Sequence, residues 1–100
     1  MKKIHIIGLG LLGGSFGLAA RKKFPELKIT GSDISEQNQK DALTMGIITE
    51  AKDTPDQDTD IVILATPADT LGDLLIKTLD QLSEETLVID LVSTKSQICI

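Results

Sequence analysis

The stretch Lys3-Ile4-His5-Ile6-Ile7-Gly8-Leu9-Gly10-Leu11-Leu12-Gly13-Gly14-Ser15 constrains this chain more than any other. Ile4 to Ile7 are apolar apart from His5 and mostly β-branched, the pattern of a strand buried on both faces of a parallel sheet. Gly8, Gly10 and Gly13 then spell G-x-G-x-x-G at a strand-to-helix turn. Gly8 lets the backbone turn sharply out of the strand. Gly10 has no Cβ, so a phosphate group can approach the main chain. Gly13 lets the new helix press on the sheet. Together with Leu11 and Leu12, these glycines are expected to bind the ligand just ahead of that helix. Its unpaired donors and positive dipole end suit an anion.

Glycines also cluster in ordinary tight turns, so context matters. The next apolar run, Leu27-Lys28-Ile29-Thr30-Gly31-Ser32-Asp33, reads as a second strand ending in an acid. Asp33 lies twenty residues beyond Gly13, the spacing of a carboxylate that binds adenosine ribose hydroxyls. An anion there repels a 2′-phosphate, so NAD is favoured over NADP. By itself Asp33 also reads as a helix cap or turn residue.

One hundred residues predict one domain, residues 1–100, with a single core. With only two Phe and no Trp or Tyr, that core must be built from Ile, Leu, Val and Ala. The net charge of −5, and no basic run beyond Arg21-Lys22-Lys23, argue against a nucleic-acid surface. Those three bases sit where the first helix ends and complement its dipole. Cys99 is the only cysteine, which excludes an intrachain disulfide and a thiolate metal cluster and suits a reducing compartment. Met1-Lys2-Lys3 before apolar residues imitates a signal peptide, but four glycines from Gly8 to Gly14 interrupt the apolar region. No stretch is long enough to span a membrane, and a cytoplasmic protein is expected.

Further along, a helix is expected from Ser15 to Lys23, ended by Phe24-Pro25-Glu26. A second is expected from an N-cap at Ser35 through Met45, with Gly46 at its C′ position. Ile47-Ile48-Thr49 predicts a short third strand, and Glu50 to Thr59 an acidic loop or an irregular turn of helix. The fourth strand, Asp60 to Ala65, leads to Thr66-Pro67-Ala68-Asp69, a capping-box-like helix start. Leu71, Leu74, Leu75, Leu79 and Leu82 then repeat at helical spacing. A fifth strand, Leu87 to Leu91, leads into Val92-Ser93-Thr94-Lys95. This succession predicts an α/β, doubly wound parallel sheet of Rossmann type. Right-handed crossovers give strand order 3-2-1-4-5, with a ligand crevice at the carboxyl ends of strands 1 and 4.

Three segments converge on that edge: the Gly8–Gly13 turn, Thr66-Pro67, and Asp90 through Lys95. The first is expected to bind a pyrophosphate, the second to border the nicotinamide, the third to face a substrate. Thr66, Ser93 and Lys95 also read as helix caps and a solvated charge. His5, the only histidine, lies inside a strand and reads as structural. No other residue is an evident acceptor for a hydroxyl proton.

The run Gly8 to Ala19, together with Gly31-Ser32-Asp33, Ala65-Thr66-Pro67 and Asp90-Leu91-Val92-Ser93-Thr94-Lys95, closely resembles the prephenate and arogenate dehydrogenases of tyrosine biosynthesis. The Gly-Gly-Ser extension of the glycine turn and the D-x-x-S-x-K segment are its most specific parts. The resemblance implies NAD-dependent oxidative decarboxylation of prephenate to 4-hydroxyphenylpyruvate, or of arogenate to tyrosine. It also implies that Ser93 lies near the substrate hydroxyl and orients a catalytic histidine, and that Thr66 lines the nicotinamide pocket. The family's His-Pro segment and its helical domain, which carries a substrate-binding arginine and the homodimer contacts, have no match in these residues. The chain is therefore expected to be the nucleotide-binding half, binding NAD and turning nothing over by itself. Dehydrogenases of the β-hydroxyacid and pyrroline-carboxylate types share the opening motif. A non-enzymatic NAD(H)-sensing module is a further alternative, with Ile98 and Ile100 available for association.

Overall fold

The apolar, β-branched runs do form a parallel sheet. The computed structural model describes residues 3–52, 54–66 and 85–91. Its strands are β1 (Lys3–Ile7), β2 (Lys28–Ser32), β3 (Glu50–Ala51), β4 (Ile61–Leu64) and β5 (Leu87–Asp90). Two helices are described, α1 (Leu11–Lys23) and α2 (Glu36–Thr44). Every strand pair is parallel, in the order β3-β2-β1-β4-β5, as expected.

Registers set which residues share a face. Ile4 pairs with Ile29 and Ile61, and Ile6 with Gly31 and Ile63. Because side chains alternate along a strand, these residues stand on one face of the sheet. Ile4, Ile6, Ile29 and Ile63 form the buried core with Leu9, Ala42, Ile47 and Ile48, and Ile61, with Phe16, Leu18 and Ala20 of α1, packs against it. Burying one such Ile fully stabilises the fold by roughly 1.5–3 kcal/mol. Aromatic residues contribute little to this core, as the composition requires.

Two boundaries differ from expectation. Helix α1 begins at Leu11, not Ser15, so Gly13 and Gly14 belong to its first turn. Packing explains this, because a Cβ on Gly13 would fall 1.8 Å from the Gly8 carbonyl oxygen, as one on Gly17 would fall 2.4 Å from Ile47 Cγ2. Small residues bring the helix onto the sheet, and that contact outweighs glycine's poor helix propensity. The third strand is Glu50–Ala51, displaced from Ile47–Thr49. Ile47 and Ile48 donate their N–H groups to the carbonyl of Ala42 and so close the end of α2. They are buried as core residues, and pairing with β2 starts only beyond them.

Other expectations hold closely. Ser35 caps α2, its hydroxyl accepting from Asn38 N–H, and Gly46 follows the helix at φ +75°. Arg21, Lys22 and Lys23 occupy the last turn of α1. The expected leucine-repeat helix lies outside the described residues, as do Pro67, Ser93, Thr94, Lys95 and Cys99. Among the described residues no helix is long and apolar enough to cross a membrane.

Candidate functional site at the carboxyl edge of the sheet

Strands β1 and β4 are neighbours, while the chain between them visits the far edge through β2 and β3. Connections diverge there, so a crevice opens beyond their carboxyl ends. A cavity of about 320 Å³ occupies that position. Its lining includes Gly8, Gly10, Leu11, Leu12, Asp33 and Thr66. Six residues singled out in the sequence are therefore brought together at one place. Gly13 lies directly behind them.

Three glycines build the turn for three separate reasons. Gly8 has φ +99°, in the left-handed region where side chains are strained. A Cβ there would also fall 1.9 Å from Thr66 Oγ1, so the glycine seats the threonine at the end of β4. At Gly13 a Cβ would fall 1.8 Å from the Gly8 carbonyl oxygen, which fixes how closely α1 approaches the strand end. Gly10 is different, because a Cβ there would meet no described atom within 4 Å. Folding leaves space above Gly10, and that space opens on the cavity. A phosphate-bearing ligand resting on this backbone fits such a cradle.

The two helix starts divide the electrostatics. Helix α2 is capped by the Ser35 hydroxyl and carries Glu36 in its first turn. Helix α1 has Gly10 as its cap residue, no side-chain cap bond and no acid in its first turn. Its first N–H groups and positive dipole end are left for something outside the helix.

Asp33 stands across the cavity from that helix start. Its Oδ2 accepts the Leu9 N–H at 2.6 Å and the Asn38 side-chain amide at 3.2 Å. Its Oδ1 accepts the Ser35 N–H at 2.8 Å. Asp33 organises the turn before α2, as a turn residue does, and also lines the cavity. Its bond to Leu9 ties the end of β2 to the glycine turn. Sequence reasoning missed Asn38, although a polar amide five residues after Asp33, in the first turn of a capped helix, was the available signal.

The opposite end of the sheet holds charges that neutralise one another. Lys3 Nζ bridges Asp56 and Asp58, and Lys52 Nζ reaches Asp56 at 2.6 Å. Hydrogen bonds from Lys3, then Lys52, hold the Asp56 carboxyl down to about 2. His5 is fully buried, hydrogen-bonded through Nδ1 to Thr30 Oγ1 at 2.7 Å. Burial pushes its imidazole down to about 4, so it is neutral at ordinary pH. It lies in the interior and takes no part in the cavity lining.

Comparison with known proteins agrees with this geometry. Residues 16–100 match the family described as prephenate dehydrogenase, nucleotide-binding domain. The chain is 44% identical to a prephenate dehydrogenase of Lactococcus lactis subsp. cremoris (strain MG1363), over 98% of its own length and 28% of that protein. It is 36% identical to a prephenate dehydrogenase of Bacillus subtilis (strain 168), over 95% of its length and 27% of that protein. It thus spans between a quarter and a third of the curated relatives it matches. Among solved structures, prephenate dehydrogenase from A. aeolicus in complex with hydroxyphenyl propionate and NAD+ superposes with a TM-score of 0.77 at 31% identity, over 90% of this chain and 33% of that one. Synechocystis arogenate dehydrogenase gives 0.73 at 27% identity, over 88% of this chain and 32% of that one.

Proposed function

The chain belongs to the prephenate dehydrogenase nucleotide-binding domain family, and from that premise we propose that residues 1–100 are the NAD-binding domain of an enzyme that oxidatively decarboxylates prephenate to 4-hydroxyphenylpyruvate. One observation carries the reading: the bare start of α1, the open space above Gly10 and the Asp33 carboxylate all face a single cavity. Bound there, NAD+ supplies a hydride acceptor at its nicotinamide ring.

The residues divide the work of holding it. The N–H groups of Leu11, Leu12 and Gly13 receive the pyrophosphate, which Gly10 allows to come close. Asp33 accepts from the adenosine ribose hydroxyls and repels a 2′-phosphate. Thr66, seated over Gly8 at the end of β4, borders the nicotinamide side together with Pro67. Ser93 and Lys95 follow β5 in sequence and face the substrate, Ser93 orienting the histidine that takes the hydroxyl proton. His5 does not serve as that histidine, because it is buried away from the cavity. The proton acceptor, a substrate-binding arginine and homodimer contacts then belong to the part of the relatives' length that this chain does not span. A cytoplasmic location suits such an enzyme.

The likeness to an arogenate dehydrogenase supports arogenate as a second substrate reading. Calorimetric titration of the chain with NAD+ and NADP+ tests the cofactor reading. NAD+ binding, with NADP+ weaker, is the expected result, and tighter binding of NADP+ would overturn the role of Asp33. Addition of prephenate to the chain with NAD+ is expected to form no NADH.

A further inference from the structure

A carboxylate has about four acceptor positions, two on each oxygen. On Asp33 three are filled from within the chain. Leu9 N–H and the Asn38 amide occupy Oδ2, and Ser35 N–H occupies one position on Oδ1. Among the described residues nothing fills the second position on Oδ1.

Two of these donors are backbone groups, fixed by the glycine turn and by the entry to α2. Asn38 is the only side chain of the three. It is half-buried in the first turn of α2, its own N–H bonded to Ser35 Oγ at 3.3 Å. It also contributes to the cavity wall beside Asp33 and Leu11. Being neutral, its amide fills an acceptor position without cancelling the carboxylate charge. A lysine or arginine in its place would cancel that charge.

We infer that Asn38 is a positioning residue for nucleotide selection: it completes the bonding of Asp33 Oδ2, turns the free position on Oδ1 toward the ligand, and keeps that edge of the cavity negative, so that a dinucleotide with a free 2′-hydroxyl on its adenosine ribose is taken over its 2′-phosphate. The inference rests on the dinucleotide reading of the cavity.

Calorimetry on the parent chain, Asn38→Ala and Asn38→Lys tests it, with NAD+, NADP+ and NAD+ lacking the adenosine 2′-hydroxyl as probes. Loss of one bond that orients a charged acceptor is expected to weaken NAD+ binding to Asn38→Ala about five- to tenfold. The 2′-deoxy analogue should lose less affinity on that substitution than NAD+ does, because only its 3′-hydroxyl is left to read the carboxylate. A general loosening of α2 would weaken both nucleotides equally, and that result would overturn the inference. So would unchanged NAD+ affinity. Asn38→Lys is expected to raise the NADP+ to NAD+ affinity ratio about tenfold, as a cation beside Asp33 offsets its charge. It carries the test by itself if Asn38→Ala does not fold, and an unchanged ratio would overturn the proposal. Failure of the parent chain to bind either dinucleotide would remove the reading of the cavity and this inference together, whereas parent binding with unaltered variants would remove only the inference.

Discussion

Asp33 and Asp56 lie at opposite ends of the same sheet and are held in opposite ways. Asp56 sits between two ammonium groups, Lys3 and Lys52, and its charge is cancelled on the spot. Asp33 is held by two backbone N–H groups and an amide, all neutral, so its charge is fixed in place but not neutralised. The first arrangement fastens a loop to a strand. The second leaves a negative edge in a cavity whose far side is an uncapped helix start. A carboxylate available to a ligand is distinguished by the kind of donor around it, not by how many bonds it makes.

The largest expected effect tests how tightly the carboxyl edge is built. Gly13→Val would drive side-chain atoms into the Gly8 carbonyl, at a cost of about 3 kcal/mol or more. Urea denaturation should show a lower midpoint, and calorimetry no remaining NAD+ binding.

Second in size is the acid response of the interior of β1. Folding favours neutral His5, whose value falls from 6.5 to about 4. Its contribution is complete above about pH 6.5 and is lost as pH falls toward 4, amounting to about 3 kcal/mol below that. Urea midpoints measured between pH 7 and 4 should fall for the parent chain and fall much less for His5→Asn. An equal fall in both would place the acid response elsewhere.

Next comes Asp33→Ala, which is expected to weaken NAD+ binding by roughly ten- to a hundredfold while narrowing the gap to NADP+. The smallest effect belongs to its counterpart. Asp56→Ala is expected to lower stability by less than about 1 kcal/mol, because its partners are near the surface, and to leave NAD+ affinity unchanged. The Asp56 contribution is present above the ordinary carboxylate value near 4 and disappears as pH falls through 2. Salt at 1 M should erase most of it. If Asp56→Ala altered nucleotide affinity as much as Asp33→Ala, the two ends of the sheet would not be independent.

The carboxyl edge was far more legible in the sequence than the opposite end. Glycine spacing, the acid after β2 and the strand succession are local signals, and the topology carries them to one place. The start of α1 was misplaced because Gly13 and Gly14 were counted with the glycine turn, whereas both lie inside the helix, where Gly13 has to be small. Ile47 and Ile48 read as a strand because a short apolar run is the same whether it pairs or merely fills the core. The cluster of Lys3, Lys52, Asp56 and Asp58 left no local sign, since Lys3 meets its partners more than fifty residues away. Asn38 was missed for a subtler reason, its role being defined by a neighbour's lone pairs.

The bond from Leu9 N–H to Asp33 has a consequence for the timing of order. Together with the bond from Gly8 N–H to the Ser32 carbonyl, it laces the two strand ends into one frame when the chain folds. The conformational entropy of assembling the cavity is therefore lost during folding, before any ligand arrives. A ligand meeting so rigid a frame spends little of its interaction energy on ordering the protein, and more of it remains as affinity. The same lacing makes the traffic run both ways. Occupation of the cavity should raise the unfolding temperature of the whole sheet, because the strands cannot separate without dismantling the frame that the ligand holds.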